Sequence, residues 1–315
     1  MRDRLVKVTI VGCLAFVVPP TGALANSGIV VDSREYKLLL NPDQFTGDAA
    51  TRASEFWESR LKPIIASRLD PRDNGQSRAK KSFELDRQRR IVFRDTATCV
   101  LSRIGLSYRE RKNSTSASGR DATSEVTLKL RGPDIFLANA YRFKGVGGGK
   151  SKFEEDVSIA ADVAGSKHRF SYSVSKKGPA ASVASTLQGV IEAFPDIDNA
   201  LKTLSSSALR TDVELVTGPT FLELVYSGAK VDLGQDTDGE FDFTFWYPAD
   251  AVALDRPVVV EISYSYDTDD GAVDRGVAQR SAKLFTGLVT ALGSAIATGS
   301  QSKTSRALPN SCRED

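Results

Sequence analysis

The feature that most constrains this chain is charge carried at every second residue along otherwise apolar stretches. Glu125, Thr127, Lys129 and Arg131 alternate without a fault with Val126, Leu128 and Leu130. Strand residues two apart share a face, so such a stretch has one wet and one buried side. Glu35 and Lys37 share a face in the same way, as do Arg109 and Arg111, then Lys152, Glu154 and Asp156, and finally Glu240 and Asp242. On an open antiparallel sheet these faces would meet solvent. In a closed barrel they would converge, and charges taken out of water must then pair or hold a ligand. Basic side chains suit phosphate oxygens, and carboxylates suit a hard divalent cation.

Strands are expected at Ile29 to Leu40, Phe83 to Arg94, Leu106 to Lys112 and Glu125 to Arg131. Further strands are expected at Phe153 to Ile159, His168 to Val174, Val213 to Val216, Thr220 to Val231, Glu240 to Tyr247 and Pro257 to Tyr266. Helical spacing marks Ala50 to Leu69 with a kink at Pro63, a short helix over Asp95 to Ile104, a pair split at Pro195, and Ser281 to Ala297. The polar tail after Thr298 reads as mobile. Many strands with few helices, and no recurring strand–glycine loop–helix unit, point to an antiparallel α+β protein.

The first 25 residues read as a signal peptide: basic Arg2, Arg4 and Lys7, an apolar run from Val8 to Val18, and the small-residue exit Ala23-Leu24-Ala25. The run is too short to span a bilayer. A secreted or periplasmic protein with no membrane attachment after cleavage is the expectation. Beyond Ala25 the chain holds 39 basic and 39 acidic residues, which disfavours a nucleic-acid-coating role. Outside the cytoplasm the two remaining cysteines, Cys99 and Cys312, could pair or stay as thiols, and spacing does not choose. His168 is the only histidine, which rules out a multi-histidine metal site within one chain. Gly145 to Ser151 (GVGGGKS) has Lys144 where a phosphate-binding loop needs glycine. Asp236 to Glu240 and Asp267 to Gly271 lack the spacing of calcium loops and read as acidic turns.

Taken in order, the charged segments resemble a known family, the CYTH domains of the triphosphate tunnel metalloenzymes. Ser33-Arg-Glu35-Tyr-Lys37 leads into Leu38-Leu-Leu-Asn-Pro42, with Ser33 in place of the family's first glutamate. Phe93-Arg-Asp95-Thr96, Leu101, Gly105, Arg109 and Arg111 keep the family spacing. Thr127-Leu-Lys129-Leu and Lys152-Phe-Glu154-Glu-Asp156 follow, and Ser263 stands where a second late carboxylate is expected after Glu261.

The resemblance implies a closed antiparallel barrel of about eight strands with flanking helices, spanning residues 26–297 as one domain. It implies phosphate binding by Lys37, Arg109, Arg111, Lys129 and Lys152. It implies catalysis by Glu35 and Glu154, and Mg2+ or Mn2+ held by Glu35, Asp156, Glu240 and Glu261. The implied activity is hydrolysis of inorganic triphosphate, polyphosphate or an organic triphosphate. The alternative, favoured by Ser33, is a non-catalytic module that binds a phosphorylated or other anionic ligand. A barrel for apolar ligands is less attractive, because too many strands carry charge on one face.

Overall fold

The computed structural model describes residues 28–70, 77–113, 123–159, 165–179, 183–205, 210–298 and 302–313. The expected signal peptide lies outside them. Twelve strands run in chain order: β1 (Ser33–Leu40), β2 (Ala79–Lys80), β3 (Glu84–Thr96), β4 (Leu106–Asn113), β5 (Thr123–Gly132), β6 (Lys150–Ile159), β7 (Ser166–Pro179), β8 (Leu215–Thr217), β9 (Phe221–Ser227), β10 (Lys230–Gly234), β11 (Thr237–Pro248) and β12 (Val259–Asp267). The helices are α1 (Ala49–Phe56), α2 (Lys62–Leu69), α3 (Val100–Arg103), α4 (Ile135–Ala140), α5 (Leu187–Ala193), α6 (Ile197–Leu204), α7 (Arg275–Leu292) and α8 (Lys303–Ala307). Among the described residues no helix is long and apolar enough to cross a membrane.

Nine strands close into a ring in the order β12-β1-β6-β7-β5-β4-β3-β9-β11, and β11 pairs back to β12. The expectation of about eight antiparallel strands is corrected in two respects. The ring has nine strands, and it is mixed, because β1 and β6 run parallel, with Glu35 opposite Asp156. Alternation within a strand reports its two faces but not its neighbour's direction. The single strand expected over Thr220 to Val231 is two, β9 and β10. They are separated at Gly228, whose φ of +98° suits glycine and turns the chain off the ring.

The outer faces of the strands carry the cores. Tyr36, Phe241, Phe243, Phe245 and Tyr264 pack beneath Phe56, Trp57 and Ile65 of the α1–α2 segment and Leu284 and Leu288 of α7. Burial of each such side chain contributes about 1.5–3 kcal/mol. The expected kink near Pro63 is a π turn over Trp57–Leu61 that joins α1 to α2. On the opposite side Tyr108, Leu128 and Val174 pack beneath Leu187 and Val190 of α5 and Ile197 and Leu201 of α6. Helix α7 starts six residues earlier than its periodicity suggested, because Asp274 caps it by accepting from the Gly276 and Val277 amides at 2.7 and 3.1 Å.

The tail is not loose. Cys99 and Cys312 form a disulfide across a separation of 213 residues. Ala307, Leu308 and Cys312 are buried against the end of the barrel. Gly218 shows how close this docking is: a Cβ placed there would lie 2.2 Å from the Ala307 carbonyl oxygen. Asp95 braces the same end by accepting from the Leu101 and Ser102 amides at 2.9 and 2.8 Å, which sets α3 just after β3.

Candidate functional site: the charged bore

With the apolar side of every strand turned outward, the period-two charges point into the ring. The pairings carry this face from strand to strand. Glu35 stands opposite Asp156, Glu154 opposite Ser171, Lys152 opposite Ser173, Lys129 opposite Ser107, and Arg109 opposite Thr127. Thus Glu35, Lys37, Arg109, Arg111, Lys129, Lys152, Glu154 and Asp156 share one bore. His168 is outside it and meets Glu155 at 2.7 Å.

Half of the bore is an ion network. Lys37 bridges Glu35 and Asp156 at 2.8 Å each. Arg131 reaches Asp156 at 2.8 Å, and Lys129 reaches Glu154 at 3.2 Å and Asp156 at 3.7 Å. Lys152 holds Glu154 at 2.9 Å, and Ser33 adds a hydroxyl to the same carboxylate at 3.4 Å. Burial alone would raise the carboxyl pKa values. Lys129, Lys152 and Lys37 outweigh it at Glu154 and hold that group at about 2. Lys129, Lys37 and Arg131 hold Asp156 far below the ordinary range.

The other half is short of negative charge. Arg109 makes one hydrogen bond, from Nη2 to Thr127 Oγ1 at 3.4 Å, and no carboxylate among the described residues bridges it. Its pKa is driven well below the usual arginine value by burial and by the neighbouring Arg111. Among the described residues Arg111 has one ion-pair partner, Glu125 at 3.5 Å, and burial pulls it to about 10 despite the charge of Glu223. The Lys129 ammonium is also pulled down by burial, despite Asp156 and Glu154. Cations held dry without full pairing favour an anion between them.

Among the bore residues that escaped the sequence reading, two stand out. Glu223 is buried, accepts from Trp246 Nε1 at 2.9 Å and pairs with Arg89. The charges of Arg111 and Arg89 outweigh its burial and hold it at about 2. The available signal was a lone acid inside the apolar run Phe221-Leu-Glu-Leu-Val225, facing the Arg87 to Arg90 cluster one strand away. The second missed feature is Lys303, brought from the tail.

The closed barrel, the wet bore and the order of its charged strands agree with the resemblance set out above. The chain folds as a closed, mixed barrel of nine strands with flanking helices. Solved structures similar to this chain include HpAC1 from Hippeastrum, provisionally assigned as an adenylyl cyclase and described as having a dominant triphosphatase activity. It is 13% identical, with 88% of this chain and 95% of that one covered, at a TM-score of 0.42. A provisionally assigned adenylate cyclase from Bacillus halodurans is 11% identical, with coverages of 88% and 97% and a TM-score of 0.36. No family model and no curated protein matches the chain.

The residues expected to hold a metal are each engaged in an ion pair. Glu240 has the right parity but sits at the rim, where its side chain is 65% exposed and paired with Lys230 at 2.5 Å. Glu261 is taken by Lys303 at 2.5 Å. Glu35 and Asp156 share Lys37. Ser33 and Ser263 stand where further carboxylates would complete the set. Among the described residues no three of His, Cys, Asp or Glu lie close enough to hold a metal ion.

Proposed function

We propose that the bore binds the phosphate chain of a triphosphate or of inorganic polyphosphate, held by Lys37, Arg109, Arg111, Lys129 and Lys152. The observation that carries this reading is Arg109: a guanidinium inside the barrel whose only hydrogen-bond partner among the described residues is a hydroxyl. A phosphate chain supplies oxygens for it and for Arg111, while Lys129 and Lys152 exchange part of their carboxylate pairing for phosphate. Hydrolysis of the bound chain is the second reading, favoured by Asp242. Burial lifts this carboxyl to about 6, and Glu35 adds to the rise, so it can accept a proton from water near neutral pH. Export by the leader over residues 1–25 completes the proposal, and the Cys99–Cys312 disulfide suits an oxidising compartment.

The test is calorimetric titration of tripolyphosphate into residues 26–315, with phosphate release followed in the presence of magnesium or manganese. Saturable binding that Lys129→Ala weakens at least about tenfold supports the binding reading. Absence of binding to the unmodified protein sinks it. Phosphate release no greater than that of the Lys129→Ala protein removes hydrolysis and leaves binding.

A further inference from the structure

One end of the bore is largely apolar on the side of β3, β9, β11 and β12. Along five strands the residues beyond the lumen charges turn apolar while keeping the same parity: Leu39 after Lys37, Ile91 and Phe93 after Arg89, Phe221 before Glu223, Trp246 after Asp242, and Val259 before Glu261. These residues gather at the C-terminal ends of β1, β3 and β11 and the N-terminal ends of β9 and β12. Ile91, Phe93, Phe221, Trp246 and Val259 are buried in one cluster with Ala307, Leu308 and Cys312 of the tail. Beside it Lys303 spans from the tail to Glu261 at 2.5 Å and lies over the Trp246 ring at 5.3 Å. The disulfide and the close approach at Gly218 pin this stopper in place. The opposite mouth is open and charged, with Arg87 and Asp242 side chains 41% and 43% exposed.

We infer that the barrel is a blind socket rather than a through tunnel, and that it takes the free end of a short linear phosphate chain and excludes the interior of a long one. The inference rests on the phosphate-binding reading and narrows its ligand class. The ligand enters past Arg87, Lys152 and Asp242, runs between Arg109 and Lys129, and halts at the apolar cluster. Arg131, near the closed end, keeps 32% of its side chain exposed, so the stopper still admits water there, and the test concerns passage of a chain.

The experiment uses the disulfide-intact protein, residues 26–315, with three probes: tripolyphosphate, long-chain polyphosphate, and long-chain polyphosphate with a bulky amide cap on both ends. Affinity and stoichiometry are read by calorimetry and sedimentation. The expected result is one protein per tripolyphosphate, no more than two per uncapped long chain, and at least a tenfold loss of affinity on capping. Equal affinity for the capped chain, or more than two proteins per chain, overturns the socket while leaving phosphate binding intact. Failure of tripolyphosphate to bind overturns both. A variant ending at Thr298 gives a second readout. If folded, it is expected to exceed two proteins per uncapped chain, and an unchanged stoichiometry counts against the tail as the stopper.

Discussion

Replacing Arg109 by methionine separates the demands of ligand binding from those of folding. The guanidinium is desolvated beside Arg111 and gains one long hydrogen bond, to Thr127. That bond contributes about 1 kcal/mol or less. Replacing buried ionic groups by apolar side chains is worth up to about 4 kcal/mol. Arg109→Met is therefore expected to stabilise the protein by up to about 3 kcal/mol, an increase in Tm of up to roughly 6 °C for a chain of this size. The same substitution removes the cation most in need of an anion. Saturation at about 100 times Kd should stabilise the unmodified protein by about 2.7 kcal/mol. The variant should gain far less at the same tripolyphosphate concentration. The assay is differential scanning calorimetry with and without tripolyphosphate. A lower Tm for Arg109→Met, together with a ligand-induced shift equal to that of the unmodified protein, refutes the reasoning.

Glu223→Gln should behave in the opposite way: Arg89 is left buried without its carboxylate, and urea unfolding should show a loss of about 3–5 kcal/mol. Substituting both Cys99 and Cys312 by serine should cost about 2–5 kcal/mol and make the tail sensitive to protease, an effect absent if the tail docks without its bridge. Glu154 and Glu223, both held at about 2, contribute stability that is complete above the ordinary carboxylate range and lost as pH falls through about 2, so unfolding midpoints should drop steadily below pH 4.5. Asp242 has the reverse sign. Its folded pKa is raised to about 6, so its contribution is present at low pH and lost as pH rises through 6. Asp242→Asn should raise the midpoint at pH 7 and leave it unchanged near pH 3.

Alternation makes the wet face of β1, β4, β5 and β6 legible, because a period of two fixes which side chains travel together whatever the neighbours are. Thus Lys37, Arg109, Lys129 and Glu154 are identifiable without any knowledge of pairing. Ring order and strand direction are not legible, since the parallel contact of β1 with β6 depends on residues more than 100 positions apart. Glu223 is hidden in a strand that reads as apolar throughout. Glu240 misleads because parity says which face a residue takes and not how near the rim it lies. The tail is misjudged for a related reason. Its composition is polar, and its docking depends on two apolar residues, one glycine across the contact and a bridge that spacing alone does not decide.

The position of β1 sets the order of assembly. Ser33 pairs with Asp267 on one side and Glu154 on the other. The first described strand therefore keeps both edges unsatisfied until β6 is in place, and one of them until β12 follows. Contacts this distant in sequence slow folding and leave open edges that invite mispairing with other chains. Closure is a late event, completed only when more than 230 residues have followed Ser33. A partner that shields the β1 edges until β6 and β12 arrive should raise the yield of folded barrel.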